Sequence, residues 1–420
     1  MSRKRYALFC EKPTRRTGKP RRKQVLFSQI APGHTARRQL SIAPNEVRRE
    51  ELLGMEVKAA IMEGPERIRI AYFPKPKVEE GASLLKVEST AICGTDLHRY
   101  WGTDRIDFPV IPGHECVGIL EEIGAKVDRR DHAGAPLSEG DRVAVVPCSP
   151  CGECYYCRLV PARPNLCVGR WTCYGSIPCT NPPHLFGGFA EYMYLRPGSR
   201  LFKVPEGLSS DVGSLADPMS CAVSGIEKIF GIREGLSFES KVTIQGAGPT
   251  GLMFALLARS MGAKTIVIEK SPYRLQKAKE FGFEVVDASK TSSQERIEMV
   301  RQFGNGTGVD VAIESSGSPA VIAEGLEMLR KGGKYLIFGT AVDKGPIPVN
   351  PYLICRKEIE VFGSYAYPFW KFGKALDALN RMKDACASLI THRFPIEKLD
   401  YAIRMASAGE SLEIVIAPRA

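Results

Sequence analysis

The six residues Gly246-Ala247-Gly248-Pro249-Thr250-Gly251 constrain the fold of this chain more than any other stretch. They stand between a strand-like run, Lys241-Val242-Thr243-Ile244, and a helical apolar run over residues 251–260. A GxGxxG turn in that setting lets the backbone approach a pyrophosphate, whose charge is received by amides at the helix N-terminus. Thr265-Ile266-Val267-Ile268 follows as a second strand, and the runs at 309–313 and 334–338 repeat the pattern at helix-length separations. Strands alternating with helices predict an α/β fold with a doubly wound parallel sheet. The cofactor candidates are Gly246, Gly248, Pro249, Thr250 and Gly251 in the turn, and Glu269 at the end of the second strand. A carboxylate there accepts from ribose hydroxyls and repels a 2′-phosphate, so NAD is expected rather than NADP, with Lys270 and Arg274 moderating the preference. Ser316 in Ser315-Ser316-Gly317 and Gly339 in Phe338-Gly339-Thr340 close later strands, where the ligand crevice of such a sheet opens.

The N-terminal half has a different texture. From Met55 to about residue 145, short strands such as Leu84-Leu85-Lys86-Val87-Glu88 and Val117-Gly118-Ile119-Leu120 alternate with Gly and Pro turns, which predicts a β-barrel-like domain. Inside it lies Cys93-Gly94-Thr95-Asp96-Leu97-His98, followed by Gly113-His114-Glu115. Cys sulfur and His nitrogen are zinc ligands, and a catalytic zinc keeps one position open. A neighbouring hydroxyl and a second His read as a path for a proton. Residues 148–184 form a Cys- and Pro-rich lobe with little apolar periodicity, and the run at 187–193 returns to strand. Within the lobe Cys151, Cys154, Cys157 and Cys167 have the spacing of a closed tetrahedral structural zinc site. Cys148 makes a rival run with iron–sulfur overtones, but its spacing does not match the common ferredoxin pattern.

Charge and cysteine usage narrow the class. The net charge is +11, yet residues 1–54 alone carry 14 basic against 4 acidic side chains. The remaining residues, 44 basic and 43 acidic, are balanced, so the basic character belongs to an extension that reads as disordered. Three readings compete for it: a targeting peptide, an electrostatic arm, or sequence translated from an over-early start ahead of a folded unit that begins at Met55, the last being preferred because periodic apolar sequence starts only there. Seven of 13 cysteines lie between Cys148 and Cys179. CxxC spacing, an odd total and no secretory h-region predict reduced, metal-bound thiols in a cytoplasmic protein, with Cys148, Cys173 and Cys179 as spare thiols. No apolar run reaches membrane-spanning length.

With both zinc patterns and the nucleotide motif in this order, the chain resembles the zinc-containing medium-chain alcohol dehydrogenases, within them the polyol, threonine and sugar dehydrogenase branch. The resemblance covers about Met55 to Pro418. It implies a GroES-like catalytic domain at 55–218 and 366–420 around a Rossmann NAD-binding domain at 219–365. It also implies two zincs per chain, one catalytic and one structural, and a homodimer or homotetramer. By the same resemblance Cys93 and His114 are catalytic zinc ligands, Asp96 fixes the His114 tautomer, and Glu115 is the acid beside the ligand His. Thr95 and His98 match the proton relay. Asp217 in Leu215-Ala216-Asp217-Pro218 is the expected third ligand, a departure from the family's Cys or Glu, with Cys221 as its rival. Tyr100, Trp101, Trp171 and Tyr174 are candidates for the pocket wall or for the core. The reaction so implied is reversible, NAD-linked oxidation of a secondary alcohol. The rival readings are a zinc- and nucleotide-binding protein that holds nucleic acid through its basic arm, and a zinc-free reductase of the same superfamily.

Overall fold

The computed structural model describes residues 56–104, 106–160, 162–169, 172–230, 239–339 and 345–419. The basic extension, Met55, Trp171 and Thr340 fall outside these residues. The chain opens with an antiparallel hairpin, β1 (Glu56–Gly64) and β2 (Arg67–Pro74). There follow β3 (Ser83–Ala91), β4 (Glu115–Ile123) and β5 (Arg142–Val145), then the two-residue strands β6 (Cys148–Ser149) and β7 (Thr172–Cys173), then β8 (Tyr192–Leu195) and β9 (Leu201–Lys203). The second half adds β10 (Lys241–Gln245), β11 (Lys264–Glu269), β12 (Glu284–Asp287), β13 (Val309–Glu314), β14 (Leu329–Ile337) and β15 (Glu360–Gly363). Strands β16 (Ile390–Pro395) and β17 (Glu413–Ala417) close the chain.

These strands sort into two main sheets. One runs β16-β17-β3-β4-β5-β9 with β8 added alongside β3, so the C-terminal strands complete a sheet begun near the N-terminus. Val415 pairs with Ala91 and Ile416 with Thr90, antiparallel. Sequence pattern alone left open where the last strand goes. The apolar faces decide it, because Ile414 and Ile416 bury against Met62, Tyr100 and Phe189 in one core cluster. The other sheet is parallel throughout, in the order β12-β11-β10-β13-β14-β15. That is the doubly wound arrangement, and its strand order reverses between β10 and β13, where a ligand crevice opens beyond the strand ends.

Two elements differ from the sequence reading. The run at 187–193 becomes strand only from Tyr192, because Gly187 and Gly188 press against neighbouring chain; a Cβ on Gly187 would lie 1.8 Å from the Ile111 carbonyl oxygen. The strand read at 334–338 starts earlier, at Leu329.

The central parallel strands are buried on both faces, as in β10, where Val242 and Ile244 on one face and Thr243 and Gln245 on the other are all buried, while the edge strand β15 is largely exposed. The helix Pro249–Ser260 lies against this sheet with Gly251 through Ala258 buried. Phe254 at its centre meets Phe338 edge-on, with ring centroids 5.2 Å apart. Replacing Phe254 with Ala removes a fully buried ring from the cluster that also holds Met219, Ile244 and Phe372. We expect a loss of about 3–5 kcal/mol in denaturant unfolding; a loss below about 1 kcal/mol would mean the cluster does not hold the helix to the sheet.

Candidate active site and coenzyme crevice

Antiparallel pairing of β3 with β4 creates the first metal-ligating group. Ala91 at the end of β3 stands opposite Glu115 at the start of β4, so Cys93, two residues beyond one strand end, meets His114 and Glu115 at the other. One ligand atom from each of Cys93, His114 and Glu115 falls within a 4.8 Å cluster. His114 Nδ1 and Glu115 Oε2 are buried and have no hydrogen-bond partner. Two orphaned lone-pair atoms beside a thiol are the donor set a divalent cation satisfies. Burial pushes the Cys93 thiol well above its ordinary pKa, and Glu115, Asp96 and Asp217 push it further. Burial likewise drives the Glu115 carboxyl well up, reinforced by Glu413 and Asp217. A positive ion in their midst reverses each of those preferences.

The Cys93 end of the cluster is held by backbone. Cys93 caps the helix Gly94–Tyr100, and its amide donates to Asp96 Oδ2 at 3.1 Å. The Gly113 amide donates to Asp96 Oδ1 at 3.2 Å. Asp96 therefore clamps the two loops that carry Cys93 and His114. It stands 3.9 Å from His114 Nδ1, beyond hydrogen-bond reach, so the expected tautomer-fixing bond is absent: its oxygens are taken by amides. Thr95 Oγ1 lies 3.6 Å from Cys93 Sγ, while His98 turns its Nδ1 to Thr103 Oγ1 at 3.0 Å. No hydrogen bond joins Thr95 to His98 among the described residues.

Asp217 and Cys221 approach from the buried helix Ala216–Phe230. Asp217 accepts a hydrogen bond from the Tyr367 hydroxyl and is not one of the three clustered ligand atoms. The third member of the group is Glu115 instead, because the β4 register already sets it beside His114. Burial raises the Asp217 carboxyl, and His114 opposes that. Burial also raises the Cys221 thiol well up, with Asp217 and Glu115 adding to it, so both face the same enclosed space.

The second group is Cys151, Cys154, Cys157 and Cys167, with ligand atoms again within 4.8 Å. Three sulfur–sulfur distances are 3.6, 3.8 and 4.0 Å. A tetrahedron of thiolates about 2.3 Å from zinc has edges of about 3.8 Å, so the cage already has zinc dimensions. Amides shape the cage, as Cys151 N donates to Cys167 Sγ at 3.3 Å and Cys154 N to Cys151 Sγ at 3.4 Å. Hydrogen bonding from the Cys157 amide leads in drawing the Cys154 thiol down to about 6. One correction follows. Cys148 and Cys173, read as spare thiols, are joined by a disulfide across β6 and β7, which also removes Cys148 from any iron–sulfur run. Cys179 is buried with its thiol on the Pro109 carbonyl.

The coenzyme crevice forms where β10 and β13 end. Gly246 has φ +109°, and a Cβ on Gly251 would lie 2.0 Å from the Gly246 carbonyl oxygen, so the turn accepts only glycine at both places. Pro249 and Thr250 open the helix behind it. Glu269 is buried and accepts from the amides of Ala247, Lys270 and Ser271 at 2.7 to 2.9 Å, which locks the end of β11 against the turn. Arg274 lies against Gly248 and donates through Nε to the Ser411 carbonyl at 3.3 Å. Ser316 and Gly339 sit on loops that one carboxylate gathers. Glu314 accepts from Ser316 N and Gly317 N at 2.7 and 2.8 Å and from Gly339 N at 3.1 Å.

Comparison with known proteins agrees with this geometry. Residues 79–206 match the alcohol dehydrogenase GroES-like domain and residues 249–381 the zinc-binding dehydrogenase domain. The chain is 31% identical to sorbitol dehydrogenase of Bacillus subtilis over 369 residues, 86% of this chain and 97% of that protein. It belongs to the zinc-binding alcohol dehydrogenase family. L-threonine 3-dehydrogenase of Alteromonas mediterranea is also 31% identical, across 82% of this chain and 94% of that one. Among solved structures, an alcohol dehydrogenase from Thermotoga maritima superposes with a TM-score of 0.80 at 31% identity, covering 87% of this chain and all of the other. The chain is thus an enzyme of the alcohol dehydrogenase class that uses zinc and a nicotinamide cofactor, and nothing in these relatives favours the nucleic-acid reading.

Three residues of this dehydrogenase's sites carried no signal in the sequence. Tyr367, Glu314 and Glu413 sit in runs without a motif, and only folding brings them to Asp217, to the crevice loops and to Glu115. Of the aromatic candidates, Tyr100 is fully buried with its hydroxyl on Asp400 at 2.6 Å, and Trp101 is exposed with Nε1 on Ser407. Tyr174 is buried against Ser199. Glu413 offers a direct test. Burial leads in raising its carboxyl from 4.5 to about 8, against a lowering pull from Arg274. Folding of the zinc-free protein therefore takes up a proton, so stability is full below 4.5 and declines as pH rises toward about 8. Glu413→Gln should flatten that slope and raise the zinc-free melting temperature more at pH 8 than at pH 5; equal shifts at both would show that Glu413 ionises normally.

Proposed function

We propose that this dehydrogenase carries two zincs per chain and oxidises a secondary alcohol of the polyol, sugar or threonine type, with NAD as the hydride acceptor. The observation that carries the reading is the Cys93–His114–Glu115 group with its two orphaned atoms, in a chain that also carries a glycine turn built for a dinucleotide. Glu413 joins the two, since its charge is felt by Glu115 on one side and it feels Arg274 on the other. Sorbitol, L-threonine and 2R,3R-butanediol are named as substrates of related proteins, the last from a Bacillus subtilis structure at 28% identity and TM-score 0.73.

Cys93, His114 and Glu115 would hold the catalytic zinc, and the four-cysteine cage the structural one. Zinc, when bound, supplies a Lewis acid that lowers the pKa of an alcohol oxygen. Thr95 offers its hydroxyl beside the Cys93 sulfur, placed to take the proton of that alcohol. His98, paired with Thr103 at the outer end of the same short helix, stands where the proton passes to solvent. Asp217, which accepts from Tyr367, stands close enough to Cys93 and Glu115 to raise the pKa of both. In the crevice Glu269 would disfavour a 2′-phosphate, which supports NAD over NADP, while Ser316 and Gly339, on the loops gathered by Glu314, would contact the bound coenzyme.

The partner reading rests on β15, which pairs with β14 on one side only and exposes Val361. An unpaired parallel edge with an apolar residue is suited to a second copy of the chain. A reducing compartment, the cytoplasm, would keep the four cage thiols available as ligands, whereas the Cys148–Cys173 disulfide weighs against it.

Metal analysis by mass spectrometry tests the assignment. We expect two zincs per wild-type chain, one after Cys93→Ser or Glu115→Ala, and the other lost after Cys151→Ser. Asp217→Asn should keep both zincs while kcat/KM falls about tenfold or more; loss of zinc in that variant, with retention in Glu115→Ala, would transfer the ligand role to Asp217. Turnover of a polyol, sugar and threonine panel, read as NADH absorbance with NAD and NADP in parallel, checks the reaction. A panel without any NAD- or NADP-linked turnover overturns it.

A further inference from the structure

A cavity of about 260 Å³ lies outside both metal groups and the coenzyme crevice, between the β6–β7 hairpin and the turn that joins β8 to β9. Ser149 and Tyr174 line it from one side, and Arg196, Ser199 and Arg200 from the other. No acidic residue lines it. Arginines at such density normally answer carboxylates, yet neither side chain here has an ion pair or hydrogen bond among the described residues. Arg200 is half-buried and lies with its guanidinium carbon 4.2 Å above the Phe369 ring, which occupies one flat face and leaves its N–H edge available. Arg196 flanks the other end of the same five-residue turn.

The turn is rigid. Ser199 Oγ donates to the Arg196 carbonyl at 2.6 Å, and the Arg196 amide donates to the Tyr174 hydroxyl at 2.8 Å. Tyr174 and Ser199 hydroxyls also pair at 2.6 Å. The backbone that carries both arginines is thus fixed in advance of any ligand, and Phe369 holds the Arg200 guanidinium, while the Ser149 hydroxyl makes no hydrogen bond among the described residues. Two positive charges, forked N–H donors and a hydroxyl donor suit a tetrahedral dianion better than a single carboxylate, whose one charge would leave the second guanidinium unanswered.

We propose that this cavity binds a tetrahedral oxyanion, held between Arg196 and Arg200, either inorganic phosphate or the phosphoryl group of a small phosphomonoester. The volume exceeds that of the bare anion and leaves room for a short organic tail. The proposal is independent of the alcohol the enzyme oxidises, because none of these residues belongs to the zinc or coenzyme machinery.

Calorimetric titration of the full chain, zinc-loaded and saturated with NADH so that the pyrophosphate cradle is filled, tests it with inorganic phosphate and with glycerol 3-phosphate. Ionic strength is held constant with chloride. We expect one saturable site, weakened about tenfold or more in Arg196→Gln and in Arg200→Gln, with alcohol turnover within about twofold of wild type. Arg200→Lys, which keeps charge and packing but loses the fork, should fall between, and circular dichroism checks that each variant is folded. Tighter binding of glycerol 3-phosphate identifies a phosphorylated metabolite as the ligand; equal or weaker binding identifies free phosphate. No saturable binding of either probe up to about 20 mM, or affinity unchanged in both Gln variants, overturns the proposal.

Discussion

The carboxylate of Asp96 is the contact on which the chemistry of this protein rests. It is fully buried, and it survives there because two backbone amides, those of Cys93 and Gly113, answer it. Those amides belong to the two loops that deliver the metal-ligating side chains. A single buried charge thereby turns two flexible connections into one rigid support. Glu269 and Glu314 repeat the device at the ends of β11 and β13, where each gathers amides from the loops around the coenzyme crevice. Loops that must bind ligands cannot be held by an apolar core, and buried carboxylates satisfied by backbone N–H groups do that work in three places.

The region these clamps build is electrostatically incomplete. Cys93, Glu115, Asp217, Cys221 and Glu413 all have acid groups pushed upward, led by burial in every case. Left alone, each member of the set is biased toward its protonated form. A divalent cation among them compensates the desolvation and lets the ligands ionise. The four-cysteine cage follows different physics: its thiols are only half-buried, and amide donors shape it. A metal ion is thus favoured by burial in one place and by backbone geometry in the other.

Legibility in the sequence divided along the same line. The glycine pattern of the coenzyme turn was readable because steric exclusion at Gly246 and Gly251 leaves no alternative residue. The cysteine cage was readable because ligands close in sequence impose a spacing. Glu115 was visible as an acid beside His114, but its place among the clustered ligand atoms depends on the β3–β4 register, which no local pattern encodes. The Cys148–Cys173 bond escaped for a related reason, since it depends on pairing of two strands of only two residues each.

What the sequence by itself determined was the class of each half: a doubly wound sheet with a dinucleotide turn, and a strand-rich half with two sets of candidate metal-ligating side chains. Those are properties of neighbours along the chain, set by sterics, periodicity and spacing. What only the tertiary structure decided was which distant groups meet. β17 returns from the C-terminus to complete the first sheet and carries Glu413 toward Glu115; Tyr367 reaches Asp217; Arg200 finds Phe369. Such meetings are settled by burial of whole apolar faces, a global balance that assigns partners without leaving a mark on the residues either side of them.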